Sequence, residues 1–168
     1  GVWSGDVELT GDEAHHLARV LRAEPGERIE IFDGHGMSAP AEVTAVRKQV
    51  VSARLLSAPV RAPDQTPKII LAVASPKGDR LRWMIEKVTE LGVDRLILLQ
   101  TERSVVHPGD QKLNKLEQTA LAACKQSGRN VLLQIEQASP LADLLRRDEF
   151  RTAHFLYGAH DGAPAATA

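Results

Sequence analysis

The apolar positions along this chain change period several times, and each change predicts an element. Asp6 to Leu9 alternates polar and apolar as a half-buried strand does, and Thr10-Gly11-Asp12-Glu13 places a hydroxyl and a carboxylate three residues apart, as a capping box requires. The helix this opens is expected to end near Arg22, with Leu17, Val20 and Leu21 as its apolar stripe. Glu24-Pro25-Gly26-Glu27 reads as a turn, because proline sets φ at the first central position and glycine accepts the positive φ of the second. Arg28 to Phe32 returns to period two, Asp33-Gly34-His35-Gly36 is a second turn, and Ala41 to Val46 and Gln49 to Leu56 are two further strands. Short strands at this spacing favour a small barrel over residues 1–58. Ser57 to Pro67 carries Pro59, Pro63 and Pro67 with almost no large apolar side chain, so residues 59–67 read as a linker.

From Lys68 the pattern changes to long apolar runs. Ile69 to Ala74 predicts a buried strand, Ser75-Pro76-Lys77-Gly78 breaks it, and Asp79 is placed to cap a helix. Leu81, Met84, Ile85, Val88 and Leu91 form that helix's buried face, Gly92 ends it, and Leu96 to Leu99 is a second strand, apolar on both sides. Two such strands joined by a helix are parallel, and their ligands bind at the carboxyl ends, here Ser75 to Asp79 beside Gln100 to Ser104. After an irregular stretch, Lys112 to Ser127 is helical, with Leu113, Leu116, Ala120, Ala123 and Cys124 on one face and Gly128 after it. Val131 to Ile135 predicts a third strand, Ser139-Pro140 starts a helix through Leu145, and Thr152 to Tyr157 predicts a fourth strand. The expected fold class is α/β with a small N-terminal β-barrel, the α/β part occupying residues 68–168.

Composition narrows the function classes. No apolar run approaches a membrane span and no basic-then-apolar leader opens the chain, so a cytoplasmic protein is expected. The single cysteine excludes an intrachain disulfide framework. The net charge of −1 gives no electrostatic bias toward nucleic acid, so an RNA-binding face would need its cations gathered locally. Residues 1–66 carry 7 Lys+Arg against 10 Asp+Glu and residues 67–168 carry 14 against 12, so the second half is slightly the more basic.

Several residues could carry chemistry. Lys77 and Arg80 flank a strand-to-helix turn, where free backbone N–H groups favour an anion, although the glycine spacing of a P-loop is missing. Glu102-Arg103-Ser104 on the neighbouring loop could complete a phosphate clamp. Lys125 to Arg129 ends a helix, where the dipole alone would also favour cations. Adjacent His15 and His16 point about 100° apart on a helix, which opposes a shared metal and leaves either free to reach a phosphate beside Arg19 and Arg22. Cys124 lies on an apolar face and reads as core. Glu90 sits at a helix end whose dipole opposes it, a small sign that it has a task.

These motifs together resemble a family. His15-His16 followed by Val20-Leu21-Arg22, Phe32-Asp33-Gly34, Pro76 to Arg80, Lys87 with Glu90 to Val93, Glu102-Arg103-Ser104 and Gln126 to Arg129 are similar, in order and spacing, to the bacterial 16S rRNA uridine N3-methyltransferases of the SPOUT class. The resemblance implies a PUA-like RNA-binding barrel, an α/β domain with a trefoil knot, S-adenosylmethionine as methyl donor, and a homodimer acting on the small ribosomal subunit; no metal is expected, given the divergent His15 and His16. It implies Arg129, Lys87 and Glu90 near the chemistry, and His15, Arg19, Arg22, Lys77, Arg80, Arg103 and Ser104 as RNA contacts. The family's C-terminal Gly-Pro-Glu-Gly-Gly and Leu-Arg-Thr-Glu-Thr-Ala motifs do not occur here. The chain is therefore expected to hold the RNA-facing half of the site and to lack most of the donor-binding half. Two alternatives stay open: a non-catalytic RNA-binding module, and an unrelated nucleotide-binding α/β enzyme using Lys77 and Arg103.

Overall fold

The computed structural model describes residues 3, 5–64, 66–101 and 110–154. Its first unit is an antiparallel sheet of β1 (Asp6–Thr10), β2 (Arg28–Phe32), β3 (Met37–Val46), β4 (Val50–Leu55) and β5 (Val60–Arg61). The order is β1-β4-β3-β2, with β5 paired to β3. Val60-Arg61, inside the stretch expected as linker, thus extends the sheet through Met37 and Ser38. Alternation along β3 buries Ala39, Ala41 and Val43. A bulge at Val43/Ala45 shifts its register on β4, and a bulge of this kind bends a strand.

Thr10 occupies the N-cap as expected, but the capping box does not form, because Glu13 is drawn instead to Lys125. Only Gly11–His15 (α1) is α-helical; His16–Leu21 continues as a π turn and ends at Arg22 in the left-handed region, φ 54°. Leu17 packs on the sheet with Ala14, Ala23, Val43 and Val51, whereas Val20 and Leu21 are 63% and 61% exposed. The wider π winding rotates these two out of the stripe that a 3.6-residue period predicts.

The second unit is a parallel sheet, β6 (Ile70–Ala74), β7 (Arg95–Gln100) and β8 (Gln134–Pro140), in that spatial order. Helices α2 (Asp79–Glu90) and α3 (Asp110–Ser127) pack on one face around Ile85, Val88, Leu96, Leu98 and Ala120. On the other face Ile97 meets Leu144 of α4 (Leu141–Leu144) and Phe150 of a 3₁₀ turn (Asp148–Phe150). Central β7 is therefore apolar on both sides, as its sequence predicts. Edge strand β6 alternates instead, leaving Ile70, Ala72 and Ala74 exposed.

Boundaries shift where the backbone finds other partners. Gly78, at φ 60°, takes the N-cap of α2, so Asp79 falls in the first turn, still favourable to the helix dipole, rather than capping it. Leu91 lies just past the last turn and is 77% exposed, since ten residues from Leu81 carry it off the buried face. The third strand begins at Gln134, not Val131, because residues 130–132 bond to the first unit. It runs through Pro140, so the helix expected from Ser139 begins only at Leu141. Thr152 closes a turn and Ala153-His154 is irregular; the remainder of the predicted fourth strand, 155–157, lies outside the described residues.

Candidate functional site

The expected site residues fall into three places. The first is the π turn. His15, Arg19 and Arg22 are exposed beside the uncovered side chains of Val20 and Leu21, and none of the three forms an ion pair among the described residues. A non-glycine residue held at positive φ after a π turn is a local cost that recurs at functional positions. The turn borders α3 across a cavity of 580 Å³, with His15, His16, Val20 and Leu21 facing Gln118, Leu121 and Lys125.

The second is the carboxyl edge of the parallel sheet. The turn from Ser75 leads into α2 with Lys77 and Arg80 exposed and without ion pairs among the described residues. The Ser75 hydroxyl turns back toward the Pro76 carbonyl at 3.5 Å. Arg103 and Ser104, expected next to this turn, lie outside the described residues.

The third is the opposite, amino edge, where Lys87, Glu90 and Arg129 come together at the end of α2. Lys87 Nζ reaches both Glu90 carboxylate oxygens, at 2.7 and 3.0 Å. Glu90 therefore has its counter-charge within its own helix, which answers the unfavourable dipole. Arg129 Nη1 donates to the Thr89 carbonyl at 2.9 Å, closing one of the acceptors that a helix C-terminus leaves free. Lys87 and Glu90 pair with each other and Arg129 Nη1 bonds the helix end, on the far side of the sheet from Lys77 and Arg80.

The amino edge is also where the two units meet. His35 forms an antiparallel bridge with Val131; Gly36 N donates to Asn130 O at 3.0 Å and Leu132 N to Gly34 O at 2.9 Å. Asp33 shapes this turn by accepting the His35 and Met37 backbone N–H groups at 2.7 and 3.0 Å. Burial alone would raise the Asp33 pKa. The two backbone bonds, helped by the charges of His35 and Arg61, outweigh it and hold the carboxyl below its ordinary range. Farther along, Lys125 Nζ bridges to Glu13 at 2.6 Å. A cleft of 470 Å³ lies under this seam, its walls including Leu17, Ile31, Phe32, Leu121, Arg129 and Leu132. Cys124 also borders it, but its side chain is fully buried, as a core residue is, and burial pushes its thiol pKa up despite the Arg129 charge.

Nothing local in the sequence signals that Glu13, Asp33, Gly34 and Asn130 join the two units. Phe32-Asp33-Gly34 stood out as a motif and the start of a turn, but its pairing with residues 130–132 is set by the fold. Among the described residues no group of His, Cys, Asp and Glu could hold a metal, and no helix is long and apolar enough to cross a membrane.

The fold is thus a β-rich unit docked on a parallel α/β unit, with exposed cations on both. Comparison makes this specific. Residues 9–56 match a family described as the RNA methyltransferase PUA domain and residues 63–166 match the RNA methyltransferase domain. The chain belongs to this RNA methyltransferase family, with a PUA-like unit ahead of a SPOUT-type α/β unit. It is 34% identical over 143 residues to the ribosomal RNA small subunit methyltransferase E of Bacillus subtilis, covering 83% of this chain and 56% of that protein. The counterpart from Synechocystis is 32% identical over 135 residues, covering 80% of this chain and 43% of the relative. Among solved structures, ribosomal RNA small subunit methyltransferase E from Neisseria gonorrhoeae bound to S-adenosyl methionine superposes with TM-score 0.76 at 28% identity, covering 86% of this chain and 61% of that one. A putative methyltransferase from Legionella pneumophila, also with bound cofactor, gives TM-score 0.78 at 28% identity, covering 88% and 63%. The chain thus spans about half the length of the curated relatives it matches.

Proposed function

We propose that this chain is the RNA-gripping unit and the leading part of the catalytic domain of an S-adenosylmethionine-dependent methyltransferase that modifies uridine N3 in small-subunit rRNA, acting as a cytoplasmic homodimer. The observation that supports this most directly is the pairing of the two family matches with two docked units that both carry exposed, unpaired cations. Uracil N3 points into a base pair, so the base must be unpaired or turned out before it can be modified. The protein must therefore hold the strand on both sides of the target, which is work for phosphate contacts that position without reading sequence. His15, Arg19 and Arg22 supply them on the first unit, and Lys77 and Arg80 on the carboxyl edge, with Arg103 and Ser104, which follow β7 in the sequence, as further contacts.

The geometry favours Arg129, Lys87 and Glu90 as a support for this arrangement over direct contact with the reacting base, because Lys87 and Glu90 pair with each other and Arg129 Nη1 bonds the Thr89 carbonyl. The described carboxyl edge does not by itself fit the methyl donor. Lys77, Asp79 and Arg80 are exposed, Ser75 is turned toward its own loop, and no buried side-chain polar atom among the described residues lacks a partner. That misfit favours one second reading, an RNA-binding module without catalysis by these residues alone. Calorimetric titration with S-adenosylmethionine separates the two, since a saturable heat supports the enzyme and its absence supports the module. The RNA contacts are tested by filter binding to a small-subunit rRNA hairpin across a salt series. Arg19→Ala with Arg22→Ala is expected to lower the slope of log K against log salt by about 2, and an unchanged slope would remove the π turn from the interface.

A further inference from the structure

We infer that Asp33, Gly34 and Arg129 are positioning residues for RNA: they lock the two units in a single orientation, so that the π-turn cations and the carboxyl-edge cations form one rigid phosphate path. The inference rests on the RNA-binding reading above and adds to it how the two cation groups are held in register.

The seam is built from contacts that tolerate little rotation. Asp33 fixes the turn through two backbone N–H groups. The turn then joins residues 130–132 through backbone bonds at Gly36 and Leu132, and the Asn130 side-chain amide reaches Gly36 O at 3.4 Å. Arg61 Nη1 donates to His35 O at 3.0 Å from β5, holding the turn from its own side. Gly34 has φ 77°, and a Cβ there would lie 2.6 Å from Leu132 Cδ1 and 2.8 Å from Cγ, so only glycine allows the approach. Arg129, the next residue before Asn130, ties the segment to the end of α2. The chain of contacts therefore runs from the first unit's turn to the helix whose opposite end carries Lys77 and Arg80.

The distance involved is short enough for one RNA segment to span. The 12 residues of α2 rise about 18 Å from the seam to the carboxyl edge, and α3, packed beside it, carries the π turn along its C-terminal half. Two phosphate-binding groups held rigidly at such a spacing act as one ligand, because the second contact forms at high effective concentration. A seam that swivelled would let each group bind separately, and the gain would be lost without the loss of any RNA-contacting side chain.

The test compares a long small-subunit rRNA hairpin, able to reach both cation groups, with a short single strand that reaches one. Gly34→Ala is expected to weaken hairpin binding about tenfold and to leave the short strand unaffected, with Leu132→Ala added to it restoring part of the loss. Asp33→Ala should act in the same direction, whereas Asp33→Asn, which keeps an acceptor oxygen for the turn, should bind like the parent. In ¹⁵N spectra the Arg129 guanidinium should show a resolved Nη–H signal in the parent and in Asp33→Asn, and an averaged one in Gly34→Ala and Asp33→Ala. Equal weakening of both RNAs, or of neither, would overturn the inference. If Arg19→Ala with Arg22→Ala leaves RNA binding untouched, the π turn is no RNA contact and the part of the reading on which this inference rests fails. The Arg129 signal then decides the locking role alone, and its persistence in folded Gly34→Ala or Asp33→Ala ends the proposal.

Discussion

The two edges of the parallel sheet carry similar residues and use them in opposite ways. At the amino edge the charges have partners within the fold: Lys87 with Glu90, Arg129 with the Thr89 carbonyl, and Arg95, the first residue of β7, with Glu136 and Glu149 at 2.9 and 2.8 Å. At the carboxyl edge Lys77 and Arg80 stand exposed without ion pairs among the described residues. Cations that hold a fold together are satisfied within it, while cations that wait for a polyanion keep their hydrogen bonds unspent. The contrast explains why similar sequence signals, a cation beside a glycine at a helix end, lead to different assignments once packing is known.

The strongest way to break the comparison is to remove what lies under both edges. Leu96 of β7, fully buried against the helices, is expected to cost about 2–5 kcal/mol as Leu96→Ala, measured by urea denaturation, with RNA binding falling in step with the folded fraction. A smaller effect separates the edges. Arg129→Ala should destabilise by about 1–3 kcal/mol, because the Thr89 carbonyl loses a charged donor. Lys77→Ala with Arg80→Ala should leave stability within about 0.5 kcal/mol and lower the salt slope for RNA by about 2. A stability loss from the second pair matching that of Arg129→Ala would erase the distinction.

The smallest expected effect is in acid. The hydrogen bond from Arg95, opposed by desolvation and reinforced by the Arg95 charge and by Arg147, holds the Glu149 carboxyl below its ordinary range. A depressed folded pKa means that its stabilisation is complete above the unfolded value and fades as pH falls through the folded one. Asp33 has the same sign. Glu149→Gln should therefore flatten the melting temperature against pH below the ordinary carboxylate range, without altering the profile near neutrality. An unchanged acid limb would show that the exposed network contributes nothing measurable.

Legibility in the sequence followed the range of the forces involved. Strands β2, β4 and β7 and the body of α2 were readable because neighbouring residues alone fix their periodicity. The π turn was not, since Leu17, Val20 and Leu21 have the spacing of an α-helical stripe, and nothing in that spacing signals the wider winding that leaves the last two exposed. The start of β8 was misplaced because Val131 and Leu132 carry strand-like side chains but lend their backbone to Gly34 and His35, about a hundred residues earlier in the chain. The candidate site split for the same reason. Exposed cations such as Arg19 and Lys77 could be nominated from local context, whereas the partners that occupy Arg129 and Glu13 come from distant segments.

Strand β6 has a practical consequence. Among the described residues it pairs only with β7, and its outward Ile70, Ala72 and Ala74 leave an apolar, half-open ribbon at the rim of the sheet. Such a rim is a template for a second strand from any source. For a chain near electrical neutrality, colloidal behaviour will then depend on concentration more than on folding. Light scattering should report particles that grow on concentrating the protein at low salt, while circular dichroism stays constant.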